Sequence, residues 1–206
     1  MKSATSPDAG ARRASDTPQK LLDAVVRVVF QQGYAGATMT LIAKEAGVTR
    51  GAIQHYFGDK RVDLMAAVCA HLLERRQKQY RDGMQELVRA DFPDARAQLK
   101  VAYRDPETWF LVELWIASRS DAALRDKVDL YLKESHDLDD RALSDLLASE
   151  QHGAVDFRIY KYFMRALTRG LALEHSRRPD AAFFDAVADF AYDAVEASLA
   201  RRHGDG

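Results

Sequence analysis

Residues 47–60 read GVTRGAIQHYFGDK, a stretch rich in side chains that bond to nucleic acid. On a helix, Arg50, Gly51, Gln54 and His55 share one face, while Ile53 and Phe57, at i and i+4, share the opposite one. Arg forms paired hydrogen bonds with guanine O6/N7, and Gln does the same with adenine N6/N7. Gly51, without a side chain, lets a backbone come close. Thr38, Thr49, Tyr56 and Lys60 fall at helix starts or flanks, where hydroxyls and an ammonium meet phosphates. A solvated helix face uses the same residue types, so the elements that carry them have to decide.

Those elements form a tight pair. Thr38 caps a short helix that runs to about Ala46 with Met39, Ile42 and Ala43 inward, and Gly47 ends it. Val48 plugs the corner, and Thr49 caps a second helix ending near Phe57-Gly58. Two short helices around such a turn make a helix-turn-helix, whose outer member suits the DNA major groove. Upstream, Thr17-Pro18 opens a helix with the apolar stripe Leu22, Val25, Val26 and Val29, stopped at Gly33. Downstream, Asp59 caps a long fourth helix.

The expected organisation is a flexible arm over 1–16, a helix-turn-helix DNA-binding domain over 17–62, and a helical body over 63–206. Further helices are expected over about 94–103, 106–118, 121–149, 156–175 and 180–202, broken at Pro93, Pro106, Ser120-Asp121, Gly153 and Pro179. The fold class is all-α with about nine helices.

Composition agrees. Of 206 residues, 47% are hydrophobic and 30% charged, enough for a packed core. Residues 1–60 carry 8 Lys/Arg against 5 Asp/Glu, and the remainder 22 against 26: a basic front on an acidic body. There is no membrane-length apolar run and no secretion signal, so a cytoplasmic protein is expected. The lone Cys69 forms no internal disulfide and follows apolar LMAAV, which points to packing rather than redox chemistry. His136 with Asp137, Asp139 and Asp140 matches no metal-ligand spacing, no catalytic constellation appears, and no cofactor is expected.

The segment GATMTLIAKEAGVTRGAIQHYFGDKRVDL resembles the signature of TetR-family transcriptional regulators without a gap from Thr38 to Lys60. The resemblance is strong over about 17–65, and VELWIASRSDAALR is similar to a sensor-domain segment in part of that family. It implies base contacts from Arg50, Gly51, Gln54, His55 and Thr40, and phosphate contacts from Thr38, Thr49, Tyr56 and Lys60. One departure is that many members carry Tyr where this chain has Gln54, and His where it has Tyr56. The implied function is a repressor released from a palindromic double-stranded operator by a small molecule. The alternative is an architectural or division-type DNA-binding protein of the same fold without a ligand.

The implied body binds an effector and forms a homodimer. Candidate pocket residues are Tyr103, Trp109, Phe110, Glu113 and Trp115, with Glu113 suited to a cationic ligand; the aromatics equally suit a core. Candidate dimer residues on the last two helices are Tyr160, Met164, Leu167, Leu171, Phe183, Val187, Phe190 and Ala194, although such stripes also fold a monomer.

Overall fold

The computed structural model describes residues 7–87, 95–133 and 154–204, and among them every regular element is helical. In chain order these are α1 (Pro7–Gly36), α2 (Met39–Ala46), α3 (Arg50–Phe57), α4 (Arg61–Leu87), α5 (Ala95–Ala102) and α6 (Pro106–Ser118). Then come α7, described over 122–133, α8 (Ala154–Arg177) and α9 (Ala181–Gly204). The cluster at His136–Asp140 lies outside the described residues.

Two local expectations change. Residues 7–16, expected as a flexible arm, are helical, and α1 passes through Pro18 instead of starting there. Proline lacks the N–H for one intrahelical bond but does not forbid the turns before it. At the other end of the domain, α4 begins at Arg61, and the carbonyl of Lys60, not Asp59, accepts the first N–H groups from Asp63 and Leu64.

The chain divides into two compact units, Met1–Leu72 with Glu113–Asp129, and Leu73–Val112 with Leu130–Gly206. The boundary expected near 62 therefore falls inside the continuous helix α4.

In the first unit, α1 presents Leu21, Val25 and Val29, all fully buried, and packs on α2. Ile42 of α2, Ile53 of α3, and Leu64, Met65 and Val68 of α4 are also at 0% exposure. Cys69 is buried among them, and burial pushes its thiol up to about 12, which keeps it protonated and unreactive at neutral pH.

Tyr34 ties this unit together. Gly33 takes φ 69°, and a Cβ there would stand 3.1 Å from Glu113 Oε1, so glycine serves both the turn and the close approach. The Tyr34 N–H donates to Glu113 Oε1 at 2.8 Å, and its hydroxyl donates to Asp121 Oδ2 at 2.9 Å. Arg61 donates to the Tyr34 carbonyl and lies over its ring, 4.1 Å from the centroid. Asp121 also caps α7 by accepting the Leu124 N–H at 3.0 Å, and Lys127 pairs with Asp63 at 3.0 Å.

In the second unit, Leu99, Tyr103, Leu171, Ala172, Phe184 and Ala188 form a core joining α5, α8 and α9. Beside it, Arg96 and Lys100 of α5, with Arg104 just past its end, meet Asp193, Asp189 and Asp185 of α9. Both sets repeat every four residues in opposite directions, so the pairs fix an antiparallel register even though each exposed pair stabilises little.

Half of the expected dimer face packs on this core within the monomer. Leu171 is buried in it, and Met164, Leu167 and Val187 pack against it, because these residues share the inward side of their helices. The Tyr160 side chain lies outside the described residues. Phe183, Phe190 and Ala194 are exposed.

Burial, and then the hydrogen bond to Asp121, push the Tyr34 phenol up to about 12, while the Leu124 N–H and the Tyr34 hydroxyl hold the Asp121 carboxyl below its usual range. A raised phenol stabilises the fold below the ordinary tyrosine value of about 10 and loses that contribution as pH climbs through the folded value. Tyr34→Phe is expected to cost about 1 kcal/mol at pH 8. In urea melts, the gap from wild type should narrow between pH 10 and 12. A gap independent of alkaline pH would contradict the Tyr34–Asp121 bond. The depressed Asp121 acts oppositely, its contribution being present above the usual carboxylate range and lost on acidification.

Candidate nucleic-acid interface

Eight residues make too short a helix to persist alone, so α2 and α3 hold their shape through caps and packing. Thr38 Oγ1 accepts the Leu41 N–H at 3.3 Å, and Thr49 Oγ1 accepts the Ala52 N–H at 3.2 Å. The threonine oxygens thus serve the helices as acceptors, leaving each hydroxyl proton to donate outward, as a phosphate requires. Between the helices, Gly47 adopts φ 66° and closes α2 by donating to the Ala43 and Lys44 carbonyls. Arg27 of α1 pairs with Glu45 of α2 at 2.7 Å, which braces the outer side of the pair.

Ile53 anchors α3 at 0% exposure. With that side fixed inward, Arg50, Gly51, Gln54, His55 and Tyr56 are all exposed, as are Thr38, Thr40, Thr49 and Lys60. The rings of His55 and Tyr56 meet edge-on at 5.1 Å, so these neighbours hold each other at the surface. No acidic residue occupies the first turn of α2 or α3, leaving the positive ends of both helix dipoles open to an anion. A Cβ on Gly51 would meet only Thr49 Oγ1, at 3.8 Å. The protein's own packing therefore has no need of glycine there, and the open space faces outward.

The five residues expected around a ligand are divided between the two units. Tyr103, Trp109 and Phe110 belong to the second unit, and Glu113 and Trp115 to the first. Tyr103 is a core residue whose hydroxyl donates to Asp185 at 2.9 Å, and Phe110 is fully buried. Glu113 receives the Tyr34 N–H, and Trp115 is 50% exposed. Sequence reading missed the Tyr34–Arg61–Asp121 assembly. Its one visible signal was Asp121 three residues before Leu124, the spacing of an N-cap.

The family model described as "Bacterial regulatory proteins, tetR family" matches residues 21–68, a span that includes the whole of α2 and α3. The HTH-type transcriptional regulator BetI of Pseudomonas aeruginosa is 31% identical over 201 residues, covering 90% of this chain and 94% of that protein. This chain belongs to the TetR family. A BetI regulator of Burkholderia ambifaria is also 31% identical, over 117 residues that cover 52% of this chain and 57% of that one. Among solved structures, a TetR transcription regulator from Haloarcula marismortui shares the fold at TM-score 0.55 and 20% identity, covering 89% of this chain and 98% of its own. FadR from Bacillus subtilis in complex with stearoyl-CoA does so at TM-score 0.50 and 20% identity, covering 83% and 95%. The chain is thus a TetR-family, DNA-binding transcriptional regulator whose helix-turn-helix is α2 and α3. Among the described residues no helix is long and apolar enough to cross a membrane.

Two predictions concern this face. Gly51→Ala fills open space and removes a helix-weakening glycine, so its melting temperature should equal or exceed wild type while duplex affinity falls about tenfold or more. Unchanged affinity in anisotropy titrations would remove the close backbone approach at Gly51. Arg50→Ala should cost about 1–3 kcal/mol at one base position, whereas Lys60→Ala should weaken all duplexes alike and lower the salt slope by about 1. Binding profiles across single-base variants of one duplex separate the two, and equal sequence-independent losses would overturn the assignment of Arg50.

Proposed function

We propose that the protein acts as a homodimeric repressor, with two copies of α3 reading a near-palindromic operator and a small molecule bound in the second unit releasing it. The observation that carries the dimer is a matched pair of exposed apolar stripes. On α8, Ile159, Phe163, Ala166, Gly170 and Leu173 are exposed; on α9, Phe183, Ala186, Phe190, Ala194 and Ala197 are exposed. Both follow the spacing i, i+4 or i+3, i+7, i+11, i+14, a single face of a helix. Phe190 is 76% exposed and Phe183 59%, an expensive arrangement for isolated aromatics in water. Two such helices from each copy form a four-helix interface with small residues at its close approaches.

Specific DNA recognition favours the same assembly. One recognition helix reaches only a few base pairs, and a two-fold pair doubles the sequence read. The effector belongs to the proposal by analogy of fold, since the Bacillus subtilis FadR structure holds stearoyl-CoA within a related architecture. Residues 73–112 and 130–206, the unit without the helix-turn-helix, are where we assign it.

Phe190→Asp should place a charge in the dimer face and weaken dimerisation by about 2 kcal/mol or more, about thirtyfold, while circular dichroism stays unchanged because the residue packs on little within its own chain. Sedimentation equilibrium measures this directly. Selection of bound sequences from random duplexes should return two half-sites with two-fold symmetry for the wild type. A wild-type monomer at micromolar concentration that binds DNA only as a monomer would overturn the reading.

A further inference from the structure

Glu113 is the only charged residue of α6 between Thr108 and Ser118. A lone acid on so apolar a helix needs a partner. It has one in the backbone N–H of Tyr34, 79 positions away in the chain. Gly33 explains the pairing. Its φ of 69° and ψ of 169° break the helical path of α1 and turn the following N–H away from the α1 ladder. Tyr34 is only 8% exposed, so that N–H needs an acceptor inside the protein. Glu113 Oε1 supplies it at 2.8 Å, and the carboxylate lies directly against the break in the helix.

The chain then reaches Thr38 through a fully bonded turn. The Ala37 N–H donates to the Gly33 carbonyl at 3.1 Å, and the Thr38 N–H donates to the Gly36 carbonyl at 2.9 Å. Ala37 between them is fully buried. Thr38 opens α2, its carbonyl accepting the Ile42 N–H at 3.0 Å and its Oγ1 the Leu41 N–H at 3.3 Å. With so little slack, a displacement of the Tyr34 nitrogen is passed on to Thr38.

Arg61 and Asp121 also hold Tyr34, but differently. Asp121 holds the phenol, and a side chain can turn without moving its backbone. Arg61 holds the carbonyl from α4, inside the segment 21–68 that matches the TetR family. Of the three, Glu113 alone grips the main chain from a helix outside that segment.

We propose that Glu113 is a positioning residue for DNA binding. By accepting the Tyr34 N–H it fixes the turn between α1 and α2, and so sets the Thr38 hydroxyl where it donates to a phosphate. The inference rests on the phosphate role read for Thr38 above. Glu113 itself touches no DNA. Its effect is geometric, because a hydrogen bond weakens steeply once its donor leaves the favourable distance and angle. The role needs an acceptor oxygen rather than a charge, and an amide also offers one.

A double-mutant cycle tests this, read as affinity for a selected duplex in anisotropy titrations. Thr38→Val removes the hydroxyl and should weaken binding about tenfold, the size of a hydrogen bond to a charged group. Glu113→Ala should weaken it by about the same factor, and the double variant should lose about tenfold rather than about a hundredfold. Glu113→Gln keeps the acceptor and should stay within about threefold of wild type. Arg50→Ala, on the helix anchored by Ile53, should cost the same with or without Glu113. Thermal melts confirm folding, and Glu113→Asp, one methylene shorter, replaces Glu113→Ala in the cycle if the alanine variant does not fold. Wild-type affinity in folded Glu113→Ala, or full additivity with a weakened Thr38→Val, would overturn the proposal and leave Thr38 on its phosphate. Equal losses in Glu113→Gln and Glu113→Ala would overturn it too, since charge would then be the cause. Wild-type affinity in Thr38→Val would overturn the phosphate reading and the proposal together.

Discussion

The burial of Ile53 governs the functional half of this molecule. An eight-residue helix has few backbone bonds of its own and gains its stability from the surface against which it packs. Fixing Ile53 inward at 0% exposure sets the rotation of α3, and that rotation alone decides that Arg50, Gln54 and His55 look outward. Ile42 does the same for α2, and the left-handed Gly47 between them fixes the angle at which the two helices diverge. Recognition here is therefore a consequence of packing. The polar face is available because the apolar face is committed.

A second constraint acts through Tyr34. Its backbone N–H engages Glu113, its carbonyl and ring engage Arg61, and its hydroxyl engages Asp121. These groups lie far apart in sequence, yet they close the first unit around the turn that ends α1. Residues 113–129 thereby belong with the helix-turn-helix, so the DNA-binding unit is larger than the segment that carries its signature.

The helix-turn-helix was legible in the sequence because its determinants are local. Thr38 and Thr49 each cap the helix that follows, Gly47 stands at the left-handed turn, and Ile53 and Phe57 mark one side by spacing alone. The body was less legible because its determinants are contacts between distant helices. Periodicity showed that α8 and α9 carry apolar stripes but not which apolar residues face the monomer core, so Leu171 and Phe190 looked alike although one is buried and the other exposed. Glu113 looked like a charge awaiting a ligand, since nothing nearby in sequence reveals the Tyr34 N–H that it accepts.

The outward orientation of α3 toward DNA is the central claim, and site-specific photo-crosslinking tests it most directly. A benzophenone side chain incorporated at Gln54 should crosslink efficiently to a duplex recovered by selection, while the same group at Glu174, exposed on α8, should not. Crosslinking from position 174 with none from position 54, in protein that binds the duplex at wild-type affinity, would contradict the account.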